Sequence, residues 1–233
     1  MRVFRGRAAS IATDRDMSQQ LLSVAATGDH AVRVWIPHRQ VAFGRRDAGR
    51  DGYDRAREAA RERGFPPIER DVGGRAVAYD GETTLAFARA EPTADFRTET
   101  ATRYERATVD VERALRSLDV ELVRGEPTDS FCPGTHSLSV ADGATVGRQR
   151  KLVGIAQRVR QDAALVAGVV AVANRGDLAD VLDGVYGALE VSFDPSTVGT
   201  VEDARGPSDP EIVRSALEDA LVGESQKTVT DVG

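Results

Sequence analysis

The chain has 233 residues, 41% of them hydrophobic, with a net charge of −6 and a sequence pI of about 5.2. That is enough apolar material for one sizeable core, and no basic excess exists to neutralise phosphates, which argues against a nucleic-acid partner. No stretch approaches the roughly 18 apolar residues that span a bilayer, and the start MRVFRGRAAS lacks an apolar signal core, so the expectation is a cytoplasmic protein with no membrane partner.

In chain order, residues 14–27 carry Met17, Leu21, Leu22, Val24 and Ala25 at helical spacing and stop at Gly28. The alternation in 31–37 and the run 40–44 predict two strands around Pro37. A charged helix follows at 52–63, closed by Gly64 and by Pro66-Pro67. Strands are predicted at 75–80 and 83–90, joined by Asp80-Gly81. Residues 99–118 form a helix with Tyr104, Thr108, Val111, Leu115 and Leu118 on one stripe. A short strand at 121–123 precedes a β-meander running through 136–140, the hairpin 141–147, and 151–159, and ending with 163–172. Two helices finish the chain, at 177–190 opened by Asp177 and at 210–222 with Pro210 in its first turn after Asp209. Grouped strands and helices imply an α+β fold, with mixed or antiparallel β-sheets flanked by helices. The expected organisation is a single catalytic domain over 1–233, with a helical tail from about 207 to 233.

The basic residues are uneven. Of 31 Lys+Arg only Lys151 and Lys227 are lysine. Lys227 sits in the polar end SQKTVTDVG and reads as part of a frayed tail. Lys151 heads the strand RKLVGIAQRV, and where arginine is the rule an ammonium implies work that a planar guanidinium does not do. Strict alternation puts Lys151, Val153, Ile155 and Gln157 on one face, with Leu152, Gly154 and Ala156 on the other.

The sole cysteine, Cys132, precedes Pro133-Gly134 and so belongs at a turn. His136, four residues on, is a possible base or a structural partner. Three scattered histidines and one cysteine offer no metal-ligand spacing. A third segment, RDVGGRAVAYD at 70–80, has Gly73-Gly74 before a strand, where backbone amides can approach a ligand closely. A cation within a few ångströms of Cys132 would favour its thiolate, and the same ammonium could hold a thioester carbonyl as charge develops on its oxygen. The hairpin between Cys132 and Lys151 brings their strands together.

These segments, in this order, resemble the lipoate/biotin protein ligase and octanoyltransferase superfamily over about residues 17 to 190. Arg70, Gly73, Gly74, Ala76 and Val77 are similar to the family's arginine–glycine-glycine–alanine-valine motif, with Arg75 between the glycines and the alanine. Lys151, Gly154 and Ala156 are similar to its lysine-x-x-glycine-x-alanine motif. CPGTHSLSV followed by KLVGIAQRV looks most like the branch of glycine-cleavage-protein octanoyl amidotransferases. The resemblance implies an octanoyl or lipoyl group carried on Cys132 as a thioester, with Lys151 beside the acyl carbonyl. Arg70, Gly73, Gly74, Arg75, Ala76, His136, Gly154 and Ala156 would line the substrate site. It further implies an acyl donor and, as acceptors, lipoyl-carrier domains, those of the glycine-cleavage carrier protein and of the 2-oxoacid dehydrogenase acyltransferase subunit. No cofactor is implied for the transferase. The alternative is an ATP-dependent lipoate–protein ligase forming lipoyl-adenylate with ATP and Mg, without need of Cys132. Such ligases usually carry a further small C-terminal domain or borrow one from a separate protein, and the expectation is that this chain does not itself contain it. The chain departs from the transferase branch at Asp71 and Val72, in a longer hairpin ADGATVGRQR at 141–150, and at GGRAV (73–77), which is closer to the acyl-carrier-protein-dependent octanoyltransferases.

Overall fold

A computed structural model describes residues 1–70, 74–93, 99–142 and 147–233. Strand β1 (Arg2–Arg5) leads into helix α1 (Ile11–Ala26), whose Ser10 side chain accepts the Thr13 amide and so satisfies one of the helix's unpaired donors. Strands β2 (Ala31–Trp35) and β3 (Gln40–Phe43) follow, then a single turn α2 (Arg45–Ala48) and helix α3 (Tyr53–Glu62). Next come β4 (Pro67–Glu69), β5 (Val77–Tyr79), β6 (Thr84–Pro92), helix α4 (Thr100–Arg116) and β7 (Val123–Arg124). The chain then runs through the meander β8 (Ser137–Ala141), β9 (Gln149–Val159) and β10 (Ala163–Ala171). Helix α5 (Arg175–Ala188), a 3-10 turn (Pro195–Thr197), helix α6 (Pro210–Val222) and β11 (Thr228–Asp231) complete it.

These strands form two sheets. The larger has the order β11-β1-β2-β6-β10-β9-β8-β7, parallel only where β1 meets β11 and β2; the smaller is β4-β3-β5. The architecture is the expected α+β, with mixed sheets and flanking helices. Three apolar clusters hold it. Helices α4 and α6 bury Val111, Leu115, Val213, Leu217 and Leu221 against the large sheet. Helices α3 and α5 pack Ala56, Ala60, Val181 and Val185 on the small one, and α1 sets Met17, Leu21 and Leu22 against Ala88, Ala90 and Leu165. Removing such area from water contributes roughly 25 cal/mol per Å², and this burial is the main force that holds the layers together.

The two strands about Pro37 go to different sheets, as do those about Asp80-Gly81, so each turn carries the chain from one sheet to the other. Several expectations need correction. Asn174, in the left-handed region at φ 59°, precedes α5, and Asp177 lies in its first turn, paired with Arg39 at 2.7 Å. The end of the chain is not frayed: β11 pairs with β1, and Lys227 meets Glu218 at 3.3 Å. Arg33, in the middle of β2, points inward and is wholly buried with Asp14, which also accepts the Trp35 indole N–H at 2.8 Å. A buried guanidinium is tolerable only with such pairing. Strand β9 carries a bulge. Leu138 pairs with Val153 but Ser139 with Lys151, so Leu152 is the extra residue and the inside-outside alternation shifts by one. Lys151 therefore lies on the same side as Gly154, not opposite to it. A Cβ on Gly154 would sit 3.4 Å from the Lys151 Cε.

Candidate active site

Cys132 lies in the segment between β7 and β8, in the left-handed backbone region at φ 42°, which costs a non-glycine residue on the order of 1–3 kcal/mol. Three ties hold it there. Its N–H donates to the Tyr186 hydroxyl at 2.6 Å, and that hydroxyl donates to the Ala76 carbonyl at 3.0 Å, linking α5, the glycine segment and the cysteine segment. Its carbonyl accepts from the Lys151 Nζ at 2.9 Å. The sulfur accepts from the Arg70 Nη2 at 3.1 Å and from the Arg75 backbone N–H at 3.3 Å. Two donors converging on one sulfur favour negative charge on it.

Gly74 explains why the paired glycines matter. It sits at φ +101°, and a Cβ there would come within 2.5 Å of the Cys132 Sγ and 2.8 Å of the Arg70 Nη2. Absence of a side chain is what lets sulfur and guanidinium meet. Its carbonyl is pressed in turn against Gly44, where a Cβ would come within 1.9 Å of it. Arg70 also donates to the Arg75 carbonyl at 2.7 Å, while the Arg75 guanidinium reaches the buried Asp47 at 3.1 Å. Burial pushes the Asp47 carboxyl pKa up, against the amide and guanidinium donors that hold it.

Lys151 is 0% exposed. Its ammonium donates to Glu126 at 3.0 and 3.2 Å, to the Phe131 carbonyl at 2.9 Å and to the Cys132 carbonyl at 2.9 Å. It also lies 4.9 Å from the centre of the Phe131 ring. Burial pulls its pKa down, and the Glu126 carboxylate opposes that. Breaking the pair would leave a wholly buried ammonium without its counter-charge, a penalty that opposes any release of the segment it ties. The pair can therefore hold Cys132 in its unfavourable backbone state.

Behind the sulfur opens a cavity of about 140 Å³, lined mainly by apolar groups. Gly154, Ala156, Ala167, Gly168 and Val169 of β9 and β10 form one wall; Ala42, Ile68, Val77 and Tyr79 of the small sheet face it; α1 and Trp35 close the far part. Arg70, Phe131, Cys132, Gly134 and Ser137 line the end with the thiol. A mainly apolar slot with a thiol and a guanidinium in its lining suits a chain with a reactive head, and Asp14, Arg15, Ser18 and Gln40 add polar groups beside Trp35.

Of the residues singled out in the sequence, Cys132, Arg70, Gly74 and the Arg75 amide meet directly; Lys151 touches the backbone at Cys132; Gly154 and Ala156 line the cavity. Ala76 contributes its carbonyl to Tyr186. His136 is not drawn to the sulfur: its ring stacks on Tyr104 with centres 4.0 Å apart and planes 4° apart, and burial lowers its pKa. Gly73 lies outside the described residues, as do Asp71, Val72 and the hairpin tip at 143–146. Glu126 and Tyr186 were not expected at all. Among the described residues no group of three or more His, Cys, Asp or Glu side chains is arranged to hold a metal.

The model of the lipoyl protein ligase A/B catalytic domain matches residues 10–221. The chain belongs to this family. Within it, the chain is 29% identical over 143 residues to an octanoyl-[GcvH]:protein N-octanoyltransferase of Exiguobacterium sibiricum, covering 61% of this chain and 49% of that protein. An enzyme of the same name from Bacillus velezensis is 28% identical over 177 residues, covering 74% of this chain and 58% of its own. The chain thus spans only about half the length of these curated relatives. A lipoate-protein ligase A solved with ATP superposes with a TM-score of 0.75 at 18% identity, over 99% of this chain and 87% of that one. The bipartite lipoate protein ligase of Thermoplasma acidophilum gives 0.71 at 18% identity, over 99% and 85%. At such identities the likeness is one of fold. Among the described residues no helix is long and apolar enough to cross a membrane.

Proposed function

We propose that this member of the lipoyl protein ligase A/B family is an acyltransferase that carries an octanoyl group on Cys132 and passes it to the lysine of a lipoyl-carrier domain. The observation that carries the reading is the sulfur itself, the chain's only thiol, set at one end of an apolar cavity with the Arg70 guanidinium and the Arg75 amide aimed at it. The names of the curated relatives support the octanoyl group and a glycine-cleavage-type carrier.

In this reading the donor is a carrier protein acylated on its lysine, whose octanoyl chain lies along Gly154, Ala156 and Ala167. The Cys132 sulfur attacks the acyl carbonyl, a carbon–sulfur bond forms to Cys132, and the bond from the acyl carbon to the carrier lysine nitrogen breaks, the leaving amine taking up the proton of the Cys132 thiol. In the second half, the neutral amine of the acceptor lysine attacks the Cys132 thioester, giving an amide and returning the thiolate to Arg70 and the Arg75 amide. The amine proton leaves to solvent, or to the departing sulfur. Arg70, Gly74, Arg75 and Lys151 act here as the groups that keep the sulfur in place. The whole chain, 1–233, is read as one catalytic unit, with the glycine-cleavage carrier protein as octanoyl donor and the lipoyl domains of 2-oxoacid dehydrogenase acyltransferases as acceptors. No cofactor takes part, and the setting is the cytoplasm, where a thiol stays reduced.

The test is to incubate the protein with an octanoyl-carrier and no ATP. An octanoyl mass on Cys132 that chases onto a lipoyl domain is expected, and Cys132→Ser should abolish transfer while the protein remains folded. Modification that proceeds in Cys132→Ser, and needs free lipoate with ATP and Mg, would establish the ligase reading instead.

A further inference from the structure

We propose that Glu126 is a positioning residue for the Cys132 thiol and acts through Lys151. This rests on the reading of Cys132 as the nucleophile, but adds a component that neither the family motifs nor the sequence suggests. The Glu126 carboxylate gathers donors from both sides of Cys132: the hydroxyls of Ser130 and Ser137, the Gly134 N–H at 3.2 Å, and the Lys151 ammonium at 3.0 Å. Lys151 spends its remaining donors on the carbonyls of Phe131 and Cys132, both at 2.9 Å. An ammonium has three N–H groups, and all three have partners. It is thus occupied in tying the cysteine segment from within.

The consequence is geometric. Residues 130, 131, 132, 134 and 137 are all tied to this one carboxylate–ammonium pair, and the ties enclose the left-handed residue, Cys132. That backbone state turns the sulfur toward Arg70 and the Arg75 N–H. Neither Glu126 nor Lys151 has a hydrogen bond to the sulfur; their ties reach it through the backbone, and the ammonium also acts on it through space. Besides Glu126, the ionisable groups acting on the ammonium are Cys132 and Arg70.

Carbamidomethylation of the folded protein by iodoacetamide reads the thiol's setting without any acyl donor, so the result stands apart from the success or failure of acyl transfer. Glu126→Gln keeps shape and removes charge. Its alkylation should be about tenfold slower than wild type, Lys151→Met should be slowed to a similar extent, and the double variant should be no slower than either, the mark of two residues acting as one unit. A merely structural role would lower the melting temperature without that non-additivity. Alkylation of folded Glu126→Gln at the wild-type rate or faster overturns the proposal, and so do effects that simply add. Should Glu126→Gln not fold, Glu126→Asp, which keeps the charge but shortens the reach, is read in the same way: slower alkylation supports the proposal and a wild-type rate overturns it.

Discussion

The two parts of the cavity are built on opposite plans. Around the sulfur, nearly everything is a tie: Tyr186 holds the Cys132 amide, Lys151 its carbonyl, Arg70 and the Arg75 amide its sulfur, and Glu126 the segment on either side. Along the wall of β9 and β10 the fold works by omission. Gly154, Ala156 and Ala167 leave space where neighbouring strand positions fill the core with Val153 and Val170, and Gly168 makes room for the Phe87 ring. A reactive group needs a defined direction, and direction comes from hydrogen bonds that each fix one atom. A hydrocarbon chain needs only volume and dryness. The two parts should accordingly fail differently when altered, the first in chemistry and the second in fit.

The largest effect is expected where a glycine serves the thiol end. Gly74→Ala would put a methyl carbon 2.5 Å from the Cys132 sulfur and 2.8 Å from Arg70, at a φ of +101° that alanine adopts poorly. Sulfur and guanidinium would have to part. Octanoyl transfer should fall by on the order of a hundredfold in kcat/KM, the scale on which a small misplacement costs an enzyme. Single-turnover acylation of Cys132 measures it, and a Gly74→Ala protein that acylates at the wild-type rate would show that the sulfur does not depend on this contact.

A smaller effect, and of a different kind, belongs to the wall. At Gly168 an added Cβ would lie 2.3 Å from the Phe87 ring and 2.7 Å from the Gly154 carbonyl. The ring can turn, but the carbonyl belongs to the neighbouring strand, so β9 and β10 must spread. Overpacking of that sort costs about 1–3 kcal/mol. Gly168→Ala should lower the unfolding free energy, read from denaturant titration, by that amount, while the iodoacetamide reactivity of Cys132 stays within about twofold of wild type, since no tie to the sulfur is touched. Equal loss of stability and of thiol reactivity would erase the distinction between the two parts.

How much of this could be read from sequence follows the same division. Cys132 was legible because it is alone and precedes Pro-Gly, Lys151 because the chain otherwise avoids lysine, and Gly154 and Ala156 because small residues in a β run must face something. The ties were not legible. Glu126 and Tyr186 are ordinary residues in sequence, and their roles arise only when a segment between β7 and β8 and a helix fifty residues on are brought to one point. The direction of Lys151 was misread since the bulge at Leu152 shifts the alternation by one, and nothing in RKLVGIAQRV marks a bulge. Strand β1 escaped notice because four residues are too few for a period to show; β11, equally short, was read as a loose tail because all four of its residues are exposed and its order comes from β1, over two hundred residues away in sequence. Arg33 followed the polar half of an alternating strand and turned inward anyway, because Asp14 waits there. Apolar periodicity is local, whereas partners for buried polar groups are supplied from anywhere in the chain.

The smallest expected effect is also the most discriminating, because it touches both parts at once. At Gly154 an added Cβ would be 3.4 Å from the Lys151 Cε, 3.7 Å from its Nζ and 3.7 Å from a Val169 methyl. These are close to ordinary contacts, so Gly154→Ala should fold normally and leave Lys151 on Glu126 and the Cys132 carbonyl. What it removes is room. One methyl group in an apolar slot shifts the preference between chains differing by a methylene pair by about 1–3 kcal/mol. With hexanoyl and octanoyl donors compared side by side, the ratio of kcat/KM should move toward hexanoyl, chiefly through KM for octanoyl. A fall in kcat with both donors alike would instead mean that the methyl has disturbed Lys151, and that the β9 wall and the tie to Cys132 are one device rather than two.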